Sequence, residues 1–269
     1  MTSAWLAGLC AASPALAAGP PWIRLDEEST WIIPEPRDES SWRFDVMPFG
    51  WVAGAEGSQS AEGRGSGGES VVESSSELDF AAMLRAEAGA GDFSIRLNGV
   101  YLDIESEATG SSGTQVDATL RGLIGDLALG YRIAGDPWHE FDGAKRGKAR
   151  PGFVDALVGA RVTDLRLDLD YETRPSESGR ETWVDPFVGL RGRVFAFPWL
   201  SLGAEATAGG FGVGSHFAWT AEGIAQIVLS ETVYVALGYS ILDVDYSSGN
   251  GFELDAQIRG PWFGVGFVF

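Results

Sequence analysis

The sequence predicts an all-β protein, a single up-and-down antiparallel transmembrane barrel of about ten strands, with eight or twelve as the alternatives. Three observations carry this expectation. From Trp42 to Phe269 apolar and polar residues alternate with period two, the pattern of strands with two different faces. The connections between these segments alternate between tight turns and longer polar loops. The chain ends on Phe263, Val265, Phe267 and Phe269, every second residue large and apolar up to the last one.

Composition agrees. Among 269 residues there are 37 Gly, 15 Phe, 10 Trp and 6 Tyr, and the mean hydropathy is +0.01. Alternation averages hydropathy to zero while building one strongly apolar face. No run of 18 apolar residues follows the N-terminus, so a closed barrel is the way such a chain would satisfy its backbone inside a bilayer. A net charge of −19 argues against nucleic acid as a partner.

The first residues read as a secretory signal. Ala4 to Ala12 is a short apolar stretch, Pro14 breaks it, and Ala15-Leu16-Ala17 has the small-x-small form of a cleavage site. The expected organisation is a signal peptide over 1–17, a Pro- and acid-rich periplasmic leader over 18–41, and the barrel over 42–269. Cys10, the single cysteine, is expected to leave with the signal.

Each strand is then placed by its alternation. Arg43 and Asp45 alternate with Phe44 and Val46. Leu78 to Gly89 follows, then Phe93, Ile95, Leu97 and Tyr101 interleaved with Ser94, Arg96 and Asn98. Val116 to Ile133 changes phase once, from apolar even positions at Val116 and Leu120 to odd ones at Leu127, Leu129 and Tyr131. A bulge near Gly125 would produce that change. In Phe153 to Tyr171, Leu165, Leu167 and Leu169 are assigned to lipid, and Asp164, Arg166, Asp168 and Asp170 to the other face. Thr182–Phe197, Leu200–Ala208, Phe217–Leu229, Thr232–Tyr246 and Phe252–Phe269 complete the set.

Gly89–Asp92, Phe197–Trp199 and Ser230–Glu231 are the expected periplasmic turns, and Gly54–Gly68, Glu107–Gly113 and Glu172–Arg180 the external loops. The long connection Gly135–Gly152, basic at Lys145, Arg146, Lys148 and Arg150, breaks the rule by falling on the periplasmic side.

Trp183-Val184-Asp185-Pro186-Phe187-Val188-Gly189-Leu190-Arg191, then Gly209–Ser215, Gly238–Tyr246 and Gly260-Pro261 occur in an order and spacing that resembles an uncharacterised family of proteobacterial outer-membrane β-barrel proteins. Pro48–Trp51 and Leu78-Asp79-Phe80 match more loosely. The resemblance implies a barrel in the cell outer membrane and no activity. The alternating C-terminal residues Phe263, Val265, Phe267 and Phe269 resemble the signal read by the barrel-assembly machinery, which with outer-membrane lipid and lipopolysaccharide makes up the expected partners.

The charges assigned to the lumen are Arg43, Asp45, Arg85, Glu87, Arg96, Arg121, Arg166, Asp168, Asp185, Arg191, Arg193, Glu205 and Glu222. A barrel of this size is narrow enough for side chains to fill, and buried charges there must pair. The expectation is a largely filled lumen in a structural or interaction protein with acidic external loops, and the alternative is a small pore for ions or small solutes. No enzymatic role, cofactor or metal site is expected. The acidic loops (Glu56, Glu62, Glu69, Glu73 and Glu77; Glu105 and Glu107) lack calcium-loop spacing, and Gly209–Gly214 opens a strand where a phosphate loop opens a helix. The chain has two histidines. His139 has no evident partner, whereas Ser215 and His216 with Asp243 and Asp245 form a remote alternative, a hydrolase at the external rim.

Overall fold

The computed structural model describes residues 42–60, 72–75, 79–110, 115–135, 152–171, 175–197, 199–230, 232–248 and 253–269. The signal (1–17), the leader (18–41) and nearly all of the basic 135–152 connection lie outside the described residues.

Among them run strands β1 (Arg43–Ser60), β2 (Val72–Ser75), β3 (Asp79–Ala90), β4 (Phe93–Gly110), β5 (Gln115–Gly135), β6 (Phe153–Tyr171), β7 (Glu177–Phe197), β8 (Leu200–Gly209), β9 (Phe217–Val228), β10 (Val233–Ser247) and β11 (Glu253–Val268). Each pairs antiparallel with its neighbour, and β1 pairs with β11 from Asp45↔Val268 to Ser60↔Glu253, closing the sheet. β2 and β3 both lie between β1 and β4, in line with one another, so the wall is a closed ten-stranded barrel. Closure leaves no unpaired edge, which a barrel in lipid requires. At the seam, Phe269 N–H donates to the Phe44 carbonyl and Phe44 N–H to the Phe269 carbonyl (2.9 and 3.2 Å).

The outer face carries an apolar belt. On β6 its outward residues are Val154, Ala156, Val158, Ala160 and Val162; on β11 they are Pro261, Phe263, Val265 and Phe267, with Phe269 just beyond the strand. From Val154 to Val162 is about 26 Å along a strand, or about 20 Å across the bilayer at the usual tilt, close to the ~25 Å apolar band of such barrels. Above the belt the outward residues turn polar: Asp103 on β4, Arg121 on β5, Asp164 on β6, Thr182 on β7, Asp243 on β10 and Arg259 on β11. These positions lie on neighbouring registers (Asp103↔Arg121, Asp164↔Thr182), so they trace one continuous lipid–water line.

The interior changes in the opposite sense. Below the line it is largely charged; from the level of the line upward, Leu102, Leu120, Leu165, Leu167, Trp183, Leu242, Val244, Leu254 and Ile258 are buried together. Once the wall leaves lipid its outside meets water, and the side chains that must leave water are those on the inside. The two faces therefore exchange polarity while the pleat runs on unbroken.

This exchange corrects three expectations. Leu165 and Leu167 point inward, at 4% and 1% exposure, and Arg166 and Asp168 outward, where they pair with each other at 2.9 Å. Arg121 is also outward, paired with Asp103 at 2.8 Å. The phase change on β5 is no bulge: β4–β5 pairing is continuous through Gly99↔Gly125, and the one register shift of β5 against β6 falls between Arg132 and Ala134. The pattern changes phase there because the strand crosses the lipid–water line. For the same reason much of what reads as external loop is strand. β1 continues through 54–60, β4 runs to Gly110, and β7 begins at Glu177.

Candidate functional site

The lower interior is a layer of arginines and carboxylates. From β3, Arg85 donates twice to Glu222 of β9 across the lumen, both at 3.0 Å, and Arg96 of β4 grips Glu205 of β8. Arg191 of β7 reaches both Glu87 (2.8 Å) and Asp155 (2.8 Å), and Asp155 also accepts from Arg132 at 2.6 Å. Arg161 and Asp126 pair at 2.7 Å, and Tyr234 donates its hydroxyl to Asp45 at 2.7 Å. Arg132 and Arg193 lie 4.2 and 5.6 Å from the Phe153 ring centre, in reach of its negative face. Inside an apolar jacket each of these charges needs its partner, because an isolated one costs several kcal/mol.

Of the charges assigned to the lumen, the structure brings Arg43, Asp45, Arg85, Glu87, Arg96, Arg191, Arg193, Glu205 and Glu222 around one cavity of about 50 Å³. Asp185 also faces inward but higher, accepting from Trp183 Nε1 (3.0 Å) and Ser215 N–H (2.6 Å). Arg121, Arg166 and Asp168 are the exceptions noted above. Sequence reasoning missed Arg132, Asp155, Arg161 and Asp126, which sit on inward positions of β5 and β6. The inward phase of the lower β6 strand was legible from its outward valines.

Above this layer the apolar plug fills the barrel. Trp51 donates its indole N–H to the Gly260 carbonyl at 3.0 Å, and Trp183 stacks on Tyr246 with ring centres 3.9 Å apart. Outside, the collar above the line is studded with surface ion pairs. Arg180 and Thr182 both donate to Asp164 (2.6 and 2.9 Å), which holds its carboxyl down at a pKa of about 2.

At the rim the expected set is rearranged. Ser215 is fully buried, and Asp243 accepts from Gln257 Nε2 at 2.9 Å. His216 instead stands between Asp245 and Ser247: Nδ1 is 3.4 Å from Asp245 Oδ1 and Nε2 is 3.2 Å from Ser247 Oγ. The signal for Ser247 was its spacing, two residues from Asp245 on one strand and so on the same face. Among the described residues no group of three or more His, Cys, Asp or Glu is placed to hold a metal ion.

The architecture is that of outer-membrane barrels. The outer-membrane protease OmpT of Escherichia coli superimposes with a TM-score of 0.52 at 11% identity, covering 86% of this chain and 97% of that one. OprG of Pseudomonas aeruginosa gives a TM-score of 0.40 at 14% identity over 86% and 97%. Ail of Yersinia pestis gives 0.34 at 11% over 86% and 99%. No protein-family model matches the sequence, and no curated protein is similar to it. The fold is that of a bacterial outer-membrane β-barrel.

Proposed function

We propose that this barrel is closed to solutes and works through its external surface, in a structural or interaction role. The observation that carries the reading is the two-storey filling of the lumen, cross-paired charges below and the apolar plug around Leu102, Leu167 and Trp183 above. A conducting pore needs a continuous wet path, and a buried apolar layer removes one. The external collar, rich in acids at Asp103, Glu105, Asp117, Asp164, Glu253 and Asp255, suits cationic or cation-bridged partners, lipopolysaccharide among them. The outward row Phe263, Val265, Phe267 and Phe269 supports recognition by the barrel-assembly machinery. Membership of the uncharacterised proteobacterial family rests on the Trp183–Arg191 and Gly238–Tyr246 segments.

Planar-bilayer recording of the refolded protein tests the closed lumen. No steady conductance is expected. Conductance whose ion selectivity changes in Arg191→Gln or Arg193→Gln would establish a pore instead.

A further inference from the structure

The rim holds an arrangement that a structural barrel does not need. On β10, Asp245 and Ser247 project outward from the same face, two residues apart. β9 begins beside them at Phe217↔Asp245, and His216 N–H donates to the Asp245 carbonyl at 2.8 Å, which fixes the histidine backbone. Its ring then lies between carboxylate and hydroxyl, one nitrogen facing each, at the 3.4 and 3.2 Å already given. His216 and Asp245 are 59% and 57% exposed in their side chains, so a substrate can reach the group.

The surroundings define what could arrive. Asp243 and Asp245 are the first polar outward positions above Ile241 on β10, but their partners on β9, Trp219 and Phe217, are aromatic. The adjoining loop thrusts Phe211 and Val213 outward at 56% and 74% exposure. Phe211 has φ 50°, a left-handed conformation that is strained for a non-glycine residue and recurs at functional sites. Below, on the lipid face, lies a groove of about 570 Å³ floored by Ala204, Ala206, Ala221 and Gly223 and walled by Leu190 and Tyr239. Its Ala221↔Ile241 level is four residues from the Phe217↔Asp245 level and six from Ser247, about 13 and 20 Å along the strand. The groove is continuous with the apolar belt and is open to lipid chains.

We propose that the protein is a serine esterase on the collar just above the lipid–water line, cleaving fatty-acyl esters of membrane lipid whose chain lies in this groove. Ser247 Oγ attacks the ester carbonyl while His216 Nε2 takes its proton. Asp245 is the positioning residue, holding Nδ1–H and balancing the imidazolium. Collapse of the tetrahedral intermediate breaks the acyl–oxygen bond, and His216 returns the proton to the departing alcohol. Water, deprotonated by His216, then attacks the acyl-enzyme and releases the fatty acid and free Ser247. This departs from the sequence expectation of no catalysis. It does not depend on the closed lumen, which conductance tests separately.

The test uses full-length protein refolded in detergent, with folding checked by heat-modifiable migration. Wild type should hydrolyse p-nitrophenyl palmitate faster than p-nitrophenyl acetate, and a fluorophosphonate should label Ser247, located by peptide mass spectrometry. Ser247→Ala and His216→Gln should lower turnover by about 10³-fold or more while remaining folded. Asp245→Asn should lower kcat with KM little changed, which a merely structural contact would not do. At Gly223 a Cβ meets no atom within 4 Å, so Gly223→Leu should fold and reduce the palmitate-to-acetate ratio about tenfold by filling the groove. Folded wild type that neither hydrolyses the esters nor takes the label would overturn the proposal. Turnover unchanged in Ser247→Ala, or label on another residue, would overturn it equally.

Discussion

Replacing Leu167 by Ala separates an inward from a lipid-facing leucine. Leu167 is 1% exposed and belongs to the apolar plug with Leu165, Leu120 and Leu102. Truncation removes its transfer contribution and leaves a void among side chains on several strands, which at comparable sites costs about 3 to 5 kcal/mol. A leucine facing lipid would lose far less, because acyl chains close over the gap. The matched control is Val158→Ala on the same strand: Val158 is 55% exposed on the belt and should lose under about 1 kcal/mol. Asp168→Asn also belongs in the set. Its carboxylate is on the outer collar, paired with Arg166 at 2.9 Å, and an exposed pair contributes about 1 kcal/mol at most. Urea unfolding in lipid vesicles, followed by tryptophan fluorescence and gel migration, gives all three values. A Leu167→Ala loss no greater than that of Val158→Ala would refute the inward placement of the upper β6 strand.

Three further outcomes are expected. Glu205→Ala strands Arg96 and should cost about 3 to 5 kcal/mol, whereas Glu87→Ala leaves Arg191 on Asp155 and should cost clearly less; the same unfolding assay compares them. At Gly266 a Cβ would come within 1.9 Å of Tyr234 Cζ, so Gly266→Ala should displace the ring from Asp45 and lower stability by about 1 to 3 kcal/mol, read by the same assay. Asp164 is lowered in the fold to about 2 from an ordinary value near 4, so its clamp on Arg180 contributes above the unfolded pKa and is lost as pH falls from about 4 toward 2; an NMR titration of Asp164 with its carboxyl protonating near pH 4 would contradict this.

Much of the fold was legible because period-two alternation survives whatever surrounds the strand. It placed every long strand, and in the lower half it also placed the faces. The alternation puts Val184, Val188, Leu190 and Val194 outward and Asp185, Arg191 and Arg193 inward, which is where the structure has them. Above the lipid–water line the same rule inverts, since alternation states that two faces differ without saying which one meets lipid. On β5 and β6 the apolar phase changes near Leu123 and Thr163 with unbroken pairing, and this is the sequence mark of a wall leaving the bilayer. A bulge gives the same mark, so the pattern alone points to Gly125, where the pairing is in fact continuous. The rim set was half legible: His216 and Asp245 could be named and Ser247 shares the face of Asp245 by its spacing, but setting Ser247 against His216 required knowing that the β8–β9 loop ends level with the top of β10.

The exchange of faces along β6 is tested most directly by single cysteines from 154 to 168, replacing Cys10 if it is retained, each spin-labelled in protein refolded into lipid vesicles. Oxygen should quench the labels at 154, 156, 158, 160 and 162 most strongly, and a water-soluble nickel chelate those at 164, 166 and 168. Labels at 165 and 167 should be shielded from both. Strong oxygen accessibility at 165 and 167, with the chelate excluded from 164 to 168, would mean that lipid covers the leucine face and would contradict the account.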